Sequence, residues 1–289
     1  MIKKLRLFDI LNGTLLTLIA LTAIYPFLYM LTISLMPVDE YLKGGIVLFP
    51  NKVSLEAYMR IFQNGSILLS YKSTLIITIG GTATNLFLTI ICAYVMSKTD
   101  LKGYKIFINM IIFTMYFKGG LIPSYMLMRS LGFTDKYYAV ILTGAISTYN
   151  MLVLRSFFVN IPSSLEEAAI IDGASEPYVL FRIIIPISLP AITTIGLFYA
   201  VGHWNSYFTP MIYLNKRSMW PLQVILREIL FESTESLRST ADLAELQESA
   251  IGPQVKMATV MVTVIPIIML YPFLQKYFVK GVLIGAVKA

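Results

Sequence analysis

The 289 residues are 57% hydrophobic and only 13% charged, with a net charge of +7 and a mean hydropathy of +0.73. That balance excludes a water-soluble globular enzyme, since a soluble domain carries about 25% charged residues. The positive charge does not point to nucleic acid, because Lys and Arg are scattered through connecting segments with no basic stripe of interleaved aromatics; it fits membrane topology and anionic headgroups. The single cysteine, Cys92, leaves no disulfide framework or cysteine metal site within one chain.

A bilayer core about 30 Å thick needs roughly 20 mainly apolar residues per helix. The sequence offers six such stretches, over 10–35, 73–96, 104–121, 137–158, 190–213 and 257–277. The basic start, Lys3-Lys4-Leu5-Arg6, leads into the first of these. That run outlasts a signal-peptide core and ends without a small-residue cleavage site, so it is read as a retained span. The second stretch carries Asn85. The third is interrupted by Lys118-Gly119-Gly120 and Pro123, and a short surface helix is expected over 121–131. The fourth carries Asn150 and the fifth Tyr199, His203, Asn205 and Tyr207.

Two connecting segments, 37–72 and 214–256, are long. In the first, Ser54 is placed to cap a helix with an apolar face of Leu55, Tyr58, Met59 and Phe62. In the second, Pro221 sits at a helix start and Leu222, Ile225, Leu226, Ile229 and Leu230 recur with helical spacing. Residues 232–250 then turn polar. Two readings stand side by side there, an interfacial helix with a solvated loop and a docking surface for an external partner. With both termini inside, these two segments lie outside, where most of the acidic residues fall, and the inner segments are denser in Lys and Arg.

Residues 159–189, between the fourth and fifth spans, carry the strongest local signals. Ser163 and Glu166 have capping-box spacing after Pro162. Leu165, Ala168, Ala169 and Asp172 share a helix face, and Gly173 supplies a left-handed stop. A second short helix is expected from Ser175-Glu176-Pro177, ending at Pro186, with Pro190 just beyond. A helix-turn-helix of this kind fits a groove in a partner protein.

The string Glu167-Ala168-Ala169, three residues, Gly173, nine residues, Ile183, one residue, Ile185-Pro186 resembles the EAA loop of permease subunits of bacterial ATP-binding-cassette (ABC) importers. The family pattern is EAA-x3-G-x9-I-x-LP, and Ile185 in place of Leu is the one departure. Six spans, the loop before the fifth, and Gly119-Gly120-Leu121-Ile122-Pro123 resemble the carbohydrate-uptake class with maltose-type permeases, closest to the branch for oligosaccharides and polysaccharide fragments. The likeness covers nearly the whole chain.

It implies an all-α integral membrane protein of the bacterial cytoplasmic membrane, six spans, N-in and C-in, forming one permease domain over 1–289. It further implies half of a translocation pore, completed by a second homologous permease. A cytoplasmic ABC ATPase dimer, an extracytoplasmic solute-binding protein and a carbohydrate substrate are the other implied partners. The implied ATPase-coupling residues are Glu166, Glu167, Ala168, Ala169, Asp172, Gly173, Ile183 and Pro186, with Glu167 as the ionic contact. ATP and Mg would be bound by the ATPase and no cofactor by this chain, which contains no G-x-x-x-x-G-K-[ST]. The permease itself would be non-catalytic.

The polar and aromatic residues within spans are the candidates for a substrate pathway: Tyr199, His203 and Tyr207 at i, i+4, i+8, with Asn205, Asn85 and Asn150. Aromatic faces with hydrogen-bonding groups suit sugars, while helix-to-helix packing explains the same residues. The alternatives are a permease for a non-sugar solute and an ion-coupled carrier, which lacks the usual intramembrane acids. An intramembrane hydrolase finds no G-x-S-x-G or H-E-x-x-H, and His203 is the only histidine.

Overall fold

The computed structural model describes residues 7–45, 47–63, 65–236 and 252–286, with side chains placed up to 231 and over 252–269. The described residues contain helices and no strands. Three helices are individually long and apolar enough to cross a membrane, Leu7–Ser34, Ser66–Val95 and Gly252–Met269. Two further helix pairs are bent, Tyr104–Tyr116 with Leu121–Ser130 at 112° and Glu176–Ile187 with Leu189–Trp204 at 86°, and the number among the described residues reaches five only if each pair is one span. The stretch 137–158 is divided into Tyr137–Leu142 and Thr148–Val159, with Gly144 at a φ of 79° in the gap. Only glycine adopts such a φ without strain.

The chain packs as two compact units. One holds the residues up to Ile67 together with Leu226–Ile267. Its first helix, Leu7–Ser34, buries only Thr32, Ile33 and Ser34. Polar bonds fix that end, with Thr32 Oγ1 donating to the Leu48 carbonyl at 2.7 Å and Ser34 Oγ lying 2.8 Å from Tyr58 Oη. The short helix Glu56–Gln63 has Ser54 Oγ accepting from the Glu56 N–H, as a cap should. Its expected apolar face is turned outward, however. Leu55, Met59 and Phe62 are exposed, and Ala57 and Ile61 are buried instead. The bond from Tyr58 to Ser34 sets this rotation, pinning the helix by a polar group that periodicity alone does not weigh. Of the polar stretch 232–250, the helix Leu222–Ser236 takes in the first five residues and 237–250 lie outside the described residues.

The second unit holds Leu68–Ile225 and the chain from Ile268 onward. Its main core joins the end of Ser66–Val95 (Ile90, Ala93, Tyr94), the Thr148–Val159 helix (Met151, Leu154, Phe158) and residues Val179, Leu180, Ile184, Ile192, Ile195 and Tyr199. A smaller cluster gathers Ile77, Ala139, Val140, Tyr213 and Leu214. Pro221 offers its carbonyl to the Val224 N–H, and Leu222, Val224 and Ile225 in the helix beginning there are buried. Asp135, outside the expected spans, accepts the Asn215 N–H at 2.6 Å, and that bond holds its carboxyl below the usual carboxylate range.

Candidate functional site

The helix-turn-helix between the expected fourth and fifth spans consists of Ser163–Ile171 and the helical run Glu176–Ile187. The turn between them is a complete Schellman motif. Gly173 has a φ of 86°, its N–H donates to the Ile170 carbonyl at 3.0 Å, and the Ala174 N–H donates to the Ala169 carbonyl at 2.9 Å. Ala169 and Ala174 both rest on the main core, which sets the angle of the turn. Ser175 precedes the second helix and Pro177 sits in its first turn.

One detail differs from the sequence expectation. No capping box forms, because Pro162 holds the N-cap position and Ser163 is already helical. The Glu166 carboxylate pairs instead with Lys98, where a full charge partner outcompetes a backbone amide. The second helix ends one residue past Pro186, at Ile187. The run reaches that proline through a π turn at Leu180–Ile184, because a widened turn accommodates carbonyls that proline cannot satisfy.

The element presents a mixed surface. Glu167, Ala168, Asp172 and Pro186 are exposed, whereas Ile183 packs against the core. Glu167 makes no ion pair among the described residues. The same element also exposes Leu165, Ile170, Ile171, Tyr178 and Phe181, with Ile171 at 85% exposure. Several exposed large apolar side chains on one short element, with an acid that makes no ion pair among the described residues, are the composition of a protein-binding surface.

A cavity of about 250 Å³ lies in the same unit, lined by Asn85, Thr143, Ser147, Asn150, Phe198, Tyr199 and His203, among others. No Asp, Glu, Lys or Arg lines it. Asn85 Nδ2 and His203 Nε2 are 3.1 Å apart, and Asn85 Oδ1 is buried without a partner. Tyr199 Oη accepts the Ser147 N–H at 2.9 Å and shares a 2.7 Å bond with Thr89 Oγ1. Ser147 ends the non-helical gap in the fourth stretch. Tyr199 thus satisfies a backbone N–H of the non-helical gap that would otherwise lack a partner.

The helices meet closely here because of glycine. A Cβ on Gly81 would lie 2.5 Å from His203 Nε2, and one on Gly196 would lie 3.3 Å from Leu86 Cδ2. The cavity therefore gathers four of the six pathway candidates, Asn85, Asn150, Tyr199 and His203. The i, i+4, i+8 face does not extend to Tyr207. The Leu189–Trp204 helix stops first, and Tyr207 turns away to pack edge-to-face on Phe208 with ring centres 6.4 Å apart. Asn205 ends that helix, and its Oδ1 faces Gln223 Nε2 at 3.3 Å.

Gly81, Thr89 and Ser147 were not singled out by sequence reasoning. Thr89 had a signal in the run Thr74, Thr78, Thr82, Asn85, Thr89, a polar stripe on one face of an otherwise apolar span, whereas Gly81 and Ser147 had none.

Residues 103–284 match the family model described as "Binding-protein-dependent transport system inner membrane component". The chain is 42% identical over 287 residues to the polygalacturonan/rhamnogalacturonan transport system permease protein YtcP of Bacillus subtilis (strain 168), covering 99% of each chain. It is 40% identical over 285 residues to protein LplC of the same organism, covering 98% of this chain and 95% of that one. In three dimensions it resembles a chain in the crystal structure of a bacterial ABC transporter involved in the import of the acidic polysaccharide alginate. The TM-score is 0.86 at 32% identity, over 96% of this chain and 99% of that one. By the family match over most of its length and by these relatives, the chain belongs to the inner membrane components, or permeases, of binding-protein-dependent transport systems.

Proposed function

We propose that this permease is one half of the translocation pathway of an ATP-driven importer of carbohydrates, with an oligosaccharide or a polysaccharide fragment as cargo. The chain crosses the bacterial cytoplasmic membrane six times with both termini inside, the broken stretches counting as spans. Residues 163–187 couple it to a cytoplasmic ATPase dimer, which binds ATP and Mg and carries out the hydrolysis. A second permease and an external solute-binding protein complete the machine.

The observation that carries the coupling assignment is that one short element exposes Leu165, Ile170, Ile171, Tyr178 and Phe181 together with Glu167, which makes no ion pair among the described residues. Such a composition suits a protein partner with an apolar groove and a cation, most simply an arginine. Ala168 lets the partner approach closely, while Ala169, Gly173 and Ile183 hold the element's shape. Asp172 adds a second exposed acid at the turn.

Support for the cargo comes from the relatives' polysaccharide transport names and from an uncharged cavity with amide, hydroxyl, imidazole and aromatic groups. That mixture suits hydroxyls and the apolar C–H faces of sugar rings. Asn85, Asn150, Tyr199 and His203 are its candidate contacts. Asn205 and Tyr207 are candidates only for a wider pathway.

The test is uptake in proteoliposomes holding the full transporter, supplied with oligogalacturonides, rhamnogalacturonan fragments and alginate oligosaccharides in turn. ATP-dependent uptake of at least one carbohydrate is expected. Glu167→Lys should leave the protein in the membrane, release the ATPase on affinity purification and abolish uptake. Normal uptake by that variant would remove the coupling assignment.

A further inference from the structure

Glu166 faces into the chain rather than toward a partner. Its carboxylate pairs with Lys98 Nζ, and the two side chains are only 18% and 24% exposed. A second acid, Glu176, accepts the Tyr94 hydroxyl at 2.6 Å. Lys98 Nζ also sits 4.7 Å from the centre of the Tyr94 ring, so the two anchors touch each other. Glu166 belongs to the first helix of the coupling element and Glu176 to the second. A single short stretch, 94–98, therefore grips both.

That stretch ends the Ser66–Val95 helix, which is continuous back to the cavity. Asn85 lies nine residues before Tyr94, about 14 Å along the axis at the usual helical rise. It meets His203, and Thr89 meets Tyr199. The covalent route from the element to the same two partners is softer. It runs through the π turn Leu180–Ile184 and an 86° bend before Leu189.

We propose that Lys98 and Tyr94 are positioning residues that lock the coupling element to the Ser66–Val95 helix, making this helix a second, stiffer path by which ATPase movement reaches the cavity. The inference rests on the coupling role proposed above. Lys98 supplies a charge-assisted bond to the first coupling helix, and Tyr94 holds the second from a site only 6% exposed. With both in place, the element cannot shift without carrying Asn85 and Thr89 with it. With the grip cut, the ATPase still docks on the outer face but its stroke is lost in the turn.

The experiment reads transport per ATP hydrolysed in the complete reconstituted transporter. Lys98→Glu sets two carboxylates against each other and should lower that ratio at least about fivefold, the scale of a typical coupling energy, with hydrolysis retained. Lys98→Met and Tyr94→Phe should move it the same way by less. The exchanged pair Lys98→Glu with Glu166→Lys should restore it. A ratio unchanged in Lys98→Glu, or no recovery in the exchanged pair, overturns the proposal. So does the joint loss of hydrolysis and uptake in both lysine variants, which marks the pair as structural only.

Hydrogen exchange of the chain alone in nanodiscs gives an independent reading. Residues 163–179 should exchange faster in Lys98→Glu and return to the wild-type rate in the exchanged pair. Absence of ATP-dependent uptake by the wild type would instead count against the importer reading, and the exchange result would still decide the grip.

Discussion

The turn at 169–174 is tied by bonds between near neighbours, whereas the cavity is built by side chains far apart in the chain. Gly173 and Ala174 reach back three and five residues. Tyr199 bonds to Ser147 across 52 positions and to Thr89 across 110, and His203 meets Asn85 across 118. The first region can be rebuilt from capping and turn chemistry. The second exists only once three separate helices have met, which makes it sensitive to the space between them. It is also uncharged, while the element at 163–187 is held at its back by Glu166 and Glu176 and exposes Glu167 and Asp172.

That contrast breaks first at Gly81. Gly81→Val fills the contact with the His203 ring, and overpacking of this kind costs about 1–3 kcal/mol. Thermal unfolding in detergent should show a clear loss, and the hydrogen bond to Asn85 should go with it. The loss should shrink in Gly81→Val combined with His203→Ala, because the imidazole is what the new side chain strikes. Simple additivity of the two would mean that the helices are not in contact there.

A smaller effect is expected from Tyr199→Phe, which leaves the Ser147 N–H without its acceptor. The cost should be about 1–2 kcal/mol, toward the upper end measured for hydrogen bonds within membranes. The same unfolding assay reads it, and an unchanged midpoint would show that water serves the amide equally well. Smallest is Gly173→Ala. No heavy atom stands within 4 Å of the added Cβ, so only the left-handed backbone opposes it, at roughly 1 kcal/mol. Faster hydrogen exchange should be confined to 163–175, with the cavity unaffected. Spread to the Leu189–Trp204 helix would show that the element is less self-contained than its bonds suggest.

The sequence carried the family, the helical class and the helix-turn-helix of residues 163–187, because spacing, prolines and glycines act locally. It failed where a distant partner decides. Glu166 looked like a cap residue until Lys98, 68 positions earlier, claimed its carboxylate. Tyr58 looked like part of an apolar face until its hydroxyl reached Ser34. Tyr207 followed the helical count but lay past the end of the helix. Hydropathy marked 137–158 as one stretch and could not see that Gly144 divides it, since the polar gap is made tolerable by Tyr199 from another helix.

The first helix, Leu7–Ser34, has a consequence of its own. Twenty-eight residues long and buried only at Thr32, Ile33 and Ser34, it satisfies its backbone internally. In a bilayer its side chains would gain their free energy from hydrocarbon rather than from the rest of the described chain. Insertion of this segment is then nearly independent of whether the remainder folds. A badly damaged variant would still fractionate with membranes, so recovery in the membrane pellet measures synthesis and insertion, and only a readout of tertiary structure distinguishes a folded permease from an anchored, unfolded one.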